Sequence, residues 1–584
     1  MSRVPPSRKQ PRLEASQLKY PSHTAHKSPS RDAQPERWFQ SPTSRNVGRS
    51  SSRAYRRNRS MAERKKNGCG YLQHALSIVV VGASGDLAKK KTFPALLDLY
   101  RHDFLPKSVT ICGYSRSKMS DEDLRTKIKP FLVEKDAAPD AVVEEFLGRV
   151  YYRSGGYGSV EAMSKMVADL EVWEGQTGDT SLIVDPENKT VKHGQRAANR
   201  VYYFAIPPNV FLDTAASIKQ VGLSATGFTR LVVEKPFGHD YDSALKLTDD
   251  LRAHFDESYV YRIDHYLGKE MTQNLLVLRF SNTMFEPIWN RDSVQSVTFT
   301  FKENFGTEGR GGYFDRYGII RDVIQNHLMQ VFTLIAMEQP IRVSGSGSAD
   351  YVRDAKVAVL KAIEPVRAEN VVLGQYLGSD DGTQPGYKDD DGVPDDSNTP
   401  TFATCVLFVK NRRWDGVPFI FKAGKALNET KAEVRVQFKD VPSGSFLFDD
   451  KPLPRNELVM KLKQESIYFK TNVKAPGLAN RPIQSELDLS YGERYPSLYS
   501  PDAYTRLVLE VLRGKQATFV RSDELLESWK IFTPVLSMID AGEIPPLPYK
   551  FGTRGPKESD ELIEKMGYTY NKNYDWEEAH KEHK

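Results

Sequence analysis

The 584-residue chain has only three cysteines, Cys69, Cys112 and Cys405, and they are scattered. They show no metal-ligand or disulfide spacing, which suits a reducing compartment and predicts no metal centre. No apolar run approaches the roughly 18 residues that a membrane span needs. No apolar h-region follows the basic N-terminal residues, so a secretory signal is not expected. Acidic residues are scarce at the start: residues 1–60 hold three Asp or Glu against fourteen Lys or Arg, a net of +11. The whole chain carries +6, which leaves −5 on the remainder. A mildly acidic body argues against nucleic-acid binding, because phosphate contacts need a basic surface.

The basic segment is rich in Ser, Arg and Pro and poor in periodic apolar positions. Such a segment buries too little surface to offset its ordering entropy, so residues 1–70 are expected to be a disordered extension. An Arg- and Ser-rich, acid-poor N-terminus also fits an organellar transit peptide. Met61 opens a sensible shorter chain, MAERKKNG. The plainer expectation is therefore an unstructured extension on a cytoplasmic protein.

A chain of this length exceeds what one core usually serves, so at least two domains are expected. ALSIVVVGASGDLAKKKTFPALLDLY reads as a buried strand, a glycine turn and a helix, with order beginning near Leu76. Ser108–Ser117, Val201–Pro208 and Arg230–Gly238 read as further strands. Strands separated by helical stretches predict a Rossmann-like, doubly wound parallel sheet over residues 71–261. The polar stretch Gly175–Asn199 reads as a surface loop. Ser293–Phe305, Ala403–Asn411 and Ala432–Asp440 instead alternate apolar and polar residues. They predict a larger α+β domain over 262–584 with a big, mostly antiparallel sheet. Gly378–Pro400 is acidic and Gly-rich and reads as a loop.

VVVGASGDLAKK stands at a strand-to-helix junction, where a dinucleotide pyrophosphate binds. Gly82 and Gly85 would let the backbone approach phosphate, and Asp86 and Leu87 would open the helix, whose N-terminus attracts anions. The G-x-x-G-D-L-A pattern departs from G-x-G-x-x-G, and an ordinary tight turn is the plainer alternative. Arg116 follows the second strand, where NAD-binding proteins usually carry an acid, and GYSRSK has no Asp or Glu. An arginine there can grip a ribose 2′-phosphate, so NADP⁺ is the expected cofactor.

Oxidising a sugar carbinol also requires loss of the hydroxyl proton, and a neutral histidine oriented by a carboxylate suits that task. RIDHYLGK holds Asp264 and His265, and RDVIQNHLMQ holds His327 on an apparent helix. His327 taken alone reads as a core histidine. Lys235 precedes Pro236 at a strand's C-terminal end, where ligands collect in open α/β sheets. Tyr266, Lys269 and Lys425 could donate to a phosphate. The sequence alone does not bring these residues together.

GASGDLAKKK, EKPFG, RIDHYLGKE, PIWNRD, FGTEGRGGYFDRYGIIRDVIQNHLMQ and GKALNE occur in that order. Together they resemble the glucose-6-phosphate dehydrogenase family of the eukaryotic type, from about residue 76 to 580. The resemblance implies oxidation of C1 of β-D-glucose 6-phosphate to 6-phospho-D-glucono-1,5-lactone, with hydride transfer to NADP⁺. This is the entry step of the oxidative pentose phosphate pathway. His327 would be the base and Asp264 its orienting acid. His265, Tyr266 and Lys269, with Leu267 and Gly268 between them, would bind the substrate phosphate. Glu303 and Asp322 would bind sugar hydroxyls, Lys425 and Thr430 would meet substrate from the second domain, and Lys235 would touch substrate and nicotinamide. Its peptide bond to Pro236 would be a special conformer. Gly82, Ala83, Ser84, Gly85, Asp86, Leu87, Ala88 and Lys89 would cradle the cofactor, with Arg116 and Phe211.

The resemblance also implies a second, structural NADP⁺. Lys422, Lys431, Arg435 and Lys461 match that site, as do Asp488, Arg554, Tyr570 and Trp576. Departures occur at Lys422 and Lys461, which replace arginines, at Thr430 for an arginine, at Lys463 for a glutamine and at Phe211 for a tyrosine. Family members are homodimers or homotetramers built through the sheet domain, and the same is expected here. The rival enzyme is another NADP-linked sugar dehydrogenase sharing E-K-P. The rival from another class is an inactive NADP-sensing relative, which often loses the base or its acid.

Overall fold

A computed structural model describes residues 69–133, 140–176, 183–184, 191–192, 197–345, 347–448, 450–474, 476–478 and 482–570. The expected disordered extension falls almost wholly outside these residues. At its end, Cys69 and Tyr71 are buried beside a short 3₁₀ turn, Gly70–Gln73. Cys69–Gln73 are thus ordered ahead of Leu76.

Strand β1 (Ala75–Val81) is buried at every position. Its run of aliphatic and β-branched residues suits a central strand covered on both faces. Around it lie β2 (Thr110–Ser115), β3 (Val150–Ser154), β4 (Ala198–Phe204), β5 (Thr229–Glu234) and β6 (Val260–Ile263). The sheet order is β3-β2-β1-β4-β5-β6. Every pairing in it is parallel. This is the doubly wound dinucleotide-binding order, and its switch point lies between β1 and β4. The Gly175–Asn199 stretch is less of a loop than its polarity suggests. Helix Val160–Gln176 claims one end and β4 the other. Ile183–Val184 pairs antiparallel with Val191–Lys192, and the rest of the stretch lies outside the described residues.

The second sheet is built on β7 (Val294–Lys302). It adds β8 (Val371–Leu377), β9 (Phe402–Phe408), β10 (Pro418–Gly424), β11 (Lys431–Phe438), β12 (Glu457–Lys461), β13 (Ser466–Lys474), β14 (Pro482–Ser490) and β15 (Leu547–Lys550). The nine strands run β14-β13-β12-β11-β7-β10-β9-β8-β15. All pairs are antiparallel except β7 with β10 and β8 with β15. The alternating pattern T-F-T-F in β7 predicts one solvated face. Instead Thr298 and Thr300 are buried, at 8% and 9% exposure. Helix Lys557–Lys565 covers that face, packing Leu562 and Ile563 on Val406 and Ile420. The Gly378–Pro400 segment has one short 3₁₀ turn, Tyr387–Asp389, and is otherwise irregular, as its composition predicts.

The opposite face of the large sheet receives a helix that is π-wound over Ile320–Leu328 and α-helical over Met329–Ala336. Phe332 packs on Phe299 of β7 and Phe419 of β10. The helix ends in the interior, where its last carbonyls cannot reach water and must find donors. Arg279 donates to Leu334 O at 2.7 Å and Met337 O at 2.9 Å. Trp289 donates to Ile335 O at 2.9 Å, and Trp414 to Ala336 O at 2.8 Å. Burial, with the Arg413 cation nearby, pulls the Arg279 guanidinium down to about 9, against the opposing pull of Glu286 and Glu338.

Candidate active site

Parallel strands place their C-terminal ends on one edge of the sheet. Gly82 follows β1, Arg116 follows β2, Lys235 follows β5 and Asp264 follows β6. The segments GASGDLAKKK, EKPFG and RIDHYLGKE are therefore neighbours, as the C-terminal edge of such a sheet requires. His327 comes from the helix that rests on the other sheet, and it meets this edge.

His327 Nδ1 lies 2.6 Å from Asp264 Oδ1. Both side chains are nearly inaccessible, at 5% and 4% exposure. Asp264 caps the 3₁₀ turn His265–Gly268 and accepts a second bond from Tyr266 N–H at 2.9 Å. Burial opposes ionisation of Asp264, but His327, His265 and Lys235 outweigh it and draw the carboxyl down to about 2. Burial holds His327 below its ordinary value, against the upward pull of Asp264. An ionised acceptor requires the proton on Nδ1, which leaves the Nε2 lone pair free to take a proton. Asp264, His265 and His327 bring ligand-type atoms within 4.8 Å of one another. The commitment of Nδ1 to Asp264 makes this an acid–base pair rather than a chelate.

The surrounding groups converge on the pair. Tyr266 stacks on His327 at 4.6 Å between centroids, and His265 meets it edge-on at 4.6 Å. Burial drives His265 well below its usual value. Lys269 Nζ sits 4.9 Å over the Tyr266 ring, and burial lowers its pKa. Lys235 Nζ donates to Asp322 O at 2.7 Å and to its Oδ1 at 3.3 Å, and the Lys235–Pro236 bond is cis. Burial raises Asp322, but the nearby cations Lys235 and Lys425 outweigh it and keep the carboxyl below its usual range. Lys425, at the end of β10, donates to Glu303 Oε2 at 2.6 Å, just past β7. Thr430 Oγ1 donates to Asn304 Oδ1 at 2.5 Å, next to Glu303. A histidine, the carboxylate it bonds, three amines and two further carboxylates thus gather in one neighbourhood, a set suited to a phosphorylated polyol.

The turn after β1 has the shape of a phosphate cradle. Gly82 has φ +88°, and a Cβ there would lie 2.3 Å from Ala205 O. Only glycine allows this approach of two chain segments. Asp86 and Leu87 open the helix that continues as Phe93–Arg101. Asp86 is paired at the surface with Lys89 and Lys90. Ala83 and Ala88 are buried against the sheet, and Ser84 N–H is held by Ser115 Oγ at 3.2 Å. Arg116 is exposed just beyond β2, its guanidinium 5.4 Å from the Tyr157 ring centroid. Phe211 lies in the core at 1% exposure against Phe204, so its ring faces away from solvent.

The residues matched to a second dinucleotide site are partly gathered. Lys422, Lys431, Arg435, Arg554 and Tyr570 line one cleft on the covered face of the large sheet. Their charges are already engaged. Lys422 pairs with Asp560 at 3.0 Å, Arg435 with Glu457 at 2.5 Å and Lys431 with Glu429 at 2.9 Å. Arg554 packs 4.6 Å from the Tyr570 ring. Lys461 lies over Tyr468 at 5.8 Å, and Asp488 lines a different groove with Leu487 and Tyr491. Trp576 lies outside the described residues.

Some contributors carry no motif. Tyr504 stacks parallel to His265 at 5.8 Å, and Arg506 donates to Gly268 O at 3.0 Å. Both come from a helix far along the chain, so nothing local points to them. Gln330 had a signal: it stands three residues after His327 and shares its helix face.

Fold and site together define a dinucleotide-dependent oxidoreductase acting on a CH–OH group. The family model for the "Glucose-6-phosphate dehydrogenase, NAD binding domain" matches residues 79–274, and that for the "Glucose-6-phosphate dehydrogenase, C-terminal domain" matches 276–571. The chain belongs to the glucose-6-phosphate dehydrogenase family. It is 51% identical over 510 residues to glucose-6-phosphate 1-dehydrogenase 6, cytoplasmic, of Arabidopsis thaliana, covering 86% of this chain and 93% of that one. With the Aspergillus niger glucose-6-phosphate 1-dehydrogenase it shares 45% identity, over 88% of this chain and 96% of the relative. A solved glucose-6-phosphate dehydrogenase in complex with its substrate glucose-6-phosphate superposes with a TM-score of 0.78 at 46% identity, covering 86% of this chain and 99% of that one. The enzyme from Mycobacterium avium superposes at 0.70 and 30% identity, with the same coverages of 86% and 99%.

Proposed function

We propose that this chain oxidises C1 of β-D-glucose 6-phosphate to 6-phospho-D-glucono-1,5-lactone, with NADP⁺ as hydride acceptor. The observation that carries the residue-level reading is the buried 2.6 Å contact between His327 Nδ1 and Asp264 Oδ1. His327 Nε2 takes the C1 hydroxyl proton, and Asp264 stabilises the imidazolium that forms. Lys269, His265 and Tyr266 receive the substrate phosphate, with Leu267 and Gly268 shaping the turn between them. Glu303, Asp322, Lys425 and Thr430 align the sugar. Lys235 approaches both reactants, since its side chain bridges from β5 to Asp322. Segment Gly82–Lys89 holds the cofactor phosphates and Arg116 its 2′-phosphate, while Phe211 supports the wall of that site from the core. NADP⁺, when bound, accepts the hydride from C1. Incubating purified protein with NADP⁺ and either glucose 6-phosphate or free glucose tests this: NADPH should form with the phosphorylated sugar, and equal turnover of free glucose would refute it.

We further infer a second, structural NADP⁺ held by Lys422, Lys431, Arg435 and Arg554, with Tyr570 and Trp576 as stacking surfaces and Lys461 and Asp488 at its margin. The gathered cations support it, and a molar ratio of two bound nucleotides per chain tests it. Division into domains at 71–261 and 262–584, a homodimer or homotetramer, and a cytoplasmic site complete the proposal. Exposed Ile483 and Leu487 on edge strand β14 support assembly through the large sheet, which sedimentation would measure. Cytoplasmic naming of the plant relatives supports the location.

A further inference from the structure

Asp264 uses only one side of its carboxylate. Oδ1 takes the bonds from His327 and Tyr266, while Oδ2 is buried with no hydrogen-bond partner among the described residues. An ionised oxygen left bare in the interior is costly, so such atoms usually have a donor or a bound water nearby. Behind the pair lies a small cavity lined by Asp264, Lys235, Gln325, Asn326, Gln330 and Ser528, among others. Several of these are committed elsewhere. Lys235 donates to Asp322, Gln325 and Ser528 bond to each other, and Asn326 bonds to Arg321 O and His327 N–H.

Gln330 is different. Its Oε1 accepts from Lys356 Nζ at 2.7 Å, which fixes the orientation of the amide, because an ammonium can only donate. Its other end, Nε2, is then the group left for the cavity that Gln330 lines. Lys356 is itself locked, 2.7 Å from Glu524, and both side chains are fully inaccessible.

We propose that Gln330 is a positioning residue for the reaction: its Nε2–H donates through a water in this cavity to Asp264 Oδ2, and the Lys356–Glu524 pair holds it in place. Three helices thereby converge on the orienting acid: Met329–Ala336 through Gln330, Ser348–Lys361 through Lys356 and Ser522–Asp540 through Glu524. The donor restrains the carboxylate plane and so keeps Oδ1 aimed at His327 Nδ1.

The inference rests on His327 as base, and the tests separate the two. Gln330→Glu keeps the acceptor for Lys356 but replaces the donor with an oxygen. The expected result is a fall in kcat of about 10- to 100-fold, the worth of a hydrogen bond to a charged group, with KM for NADP⁺ nearly unchanged. The acid limb of kcat/KM should move to higher pH, because added negative charge joins Asp264 and Asp322 against Lys235 in the field at His327. Lys356→Met with Glu524→Leu removes the lock without leaving a lone charge, and kcat should again fall with KM for NADP⁺ held. Unchanged kcat and pH profile in both proteins, or a loss confined to thermal stability, overturns the proposal. If His327→Asn turns over normally, the base assignment falls instead, whatever Gln330 does.

Discussion

Trp289 and Trp414 donate their indole N–H groups to consecutive carbonyls, Ile335 O and Ala336 O, at the buried end of the helix that carries His327. Arg279 takes the carbonyls on either side. Buried backbone acceptors are thereby satisfied without water, and the helix is pinned at the end away from the chemistry. Replacing Trp289 with Phe keeps most of the packing and leaves Ile335 O without its donor. The unfolding free energy should drop by about 1–3 kcal/mol, the cost of an unsatisfied buried acceptor, while kcat stays nearly constant. Denaturant melts read this, and an unaltered midpoint would discard the role.

His327→Asn should lower kcat by about 10²–10⁴, the usual worth of a positioned base, with substrate still bound. Turnover close to that of the parent protein would exclude His327 as the base.

The pH profile follows from the same pair. Burial keeps the His327 pKa below 6.5, and Asp264 stays ionised down to about 2. Activity should therefore persist as pH falls past 6.5 and decline only when His327 protonates. Because the folded pKa of His327 is lower than the unfolded one, its contribution to stability is fully present above 6.5 and is lost as pH falls through the lower folded value. A kcat/KM profile with its acid limb above 6.5 would contradict the burial argument.

Arg116→Ala should weaken NADP⁺ far more than NAD⁺, because only the former carries the 2′-phosphate. Dissociation constants for the two nucleotides decide the matter. Equal weakening would mean that Arg116 does not read that phosphate.

Gly268 sits where the turn His265–Gly268 meets helix Ala503–Arg513. A Cβ there would lie 2.5 Å from Ala503 O and 2.9 Å from Leu507 Cγ. Gly268→Ala should cost about 1–3 kcal/mol, as overpacking does. It should also raise KM for glucose 6-phosphate more than KM for NADP⁺, since His265 and Lys269 ride on the same turn. An equal rise in both constants would show a general loss of structure instead.

Much of the fold was readable because local patterns are strong signals. β1 is continuously apolar and proved central. The polar G-x-x-G-D-L-A turn marked the strand-to-helix junction, and Gly82 adopts the positive φ that the turn needs. The π-winding of the His327 helix had no local signature. Nor did the burial of Thr298 and Thr300, because the covering helix Lys557–Lys565 lies far along the chain.

The sequence by itself determined which residue types were on hand and in what order: an ordered set of motifs, an arginine in place of an acid after β2, and an acid and a base on separate segments. Only the tertiary structure decided that Asp264 and His327 meet. A parallel sheet sends Asp264 to its C-terminal edge, a helix anchored on the other sheet delivers His327, and exclusion of water then sets their charges. RIDHYLGK thus supplies Asp264 and the turn beside it, while its histidine partner arrives from elsewhere, because hydrogen bonds of that kind depend on distance in space and not along the chain.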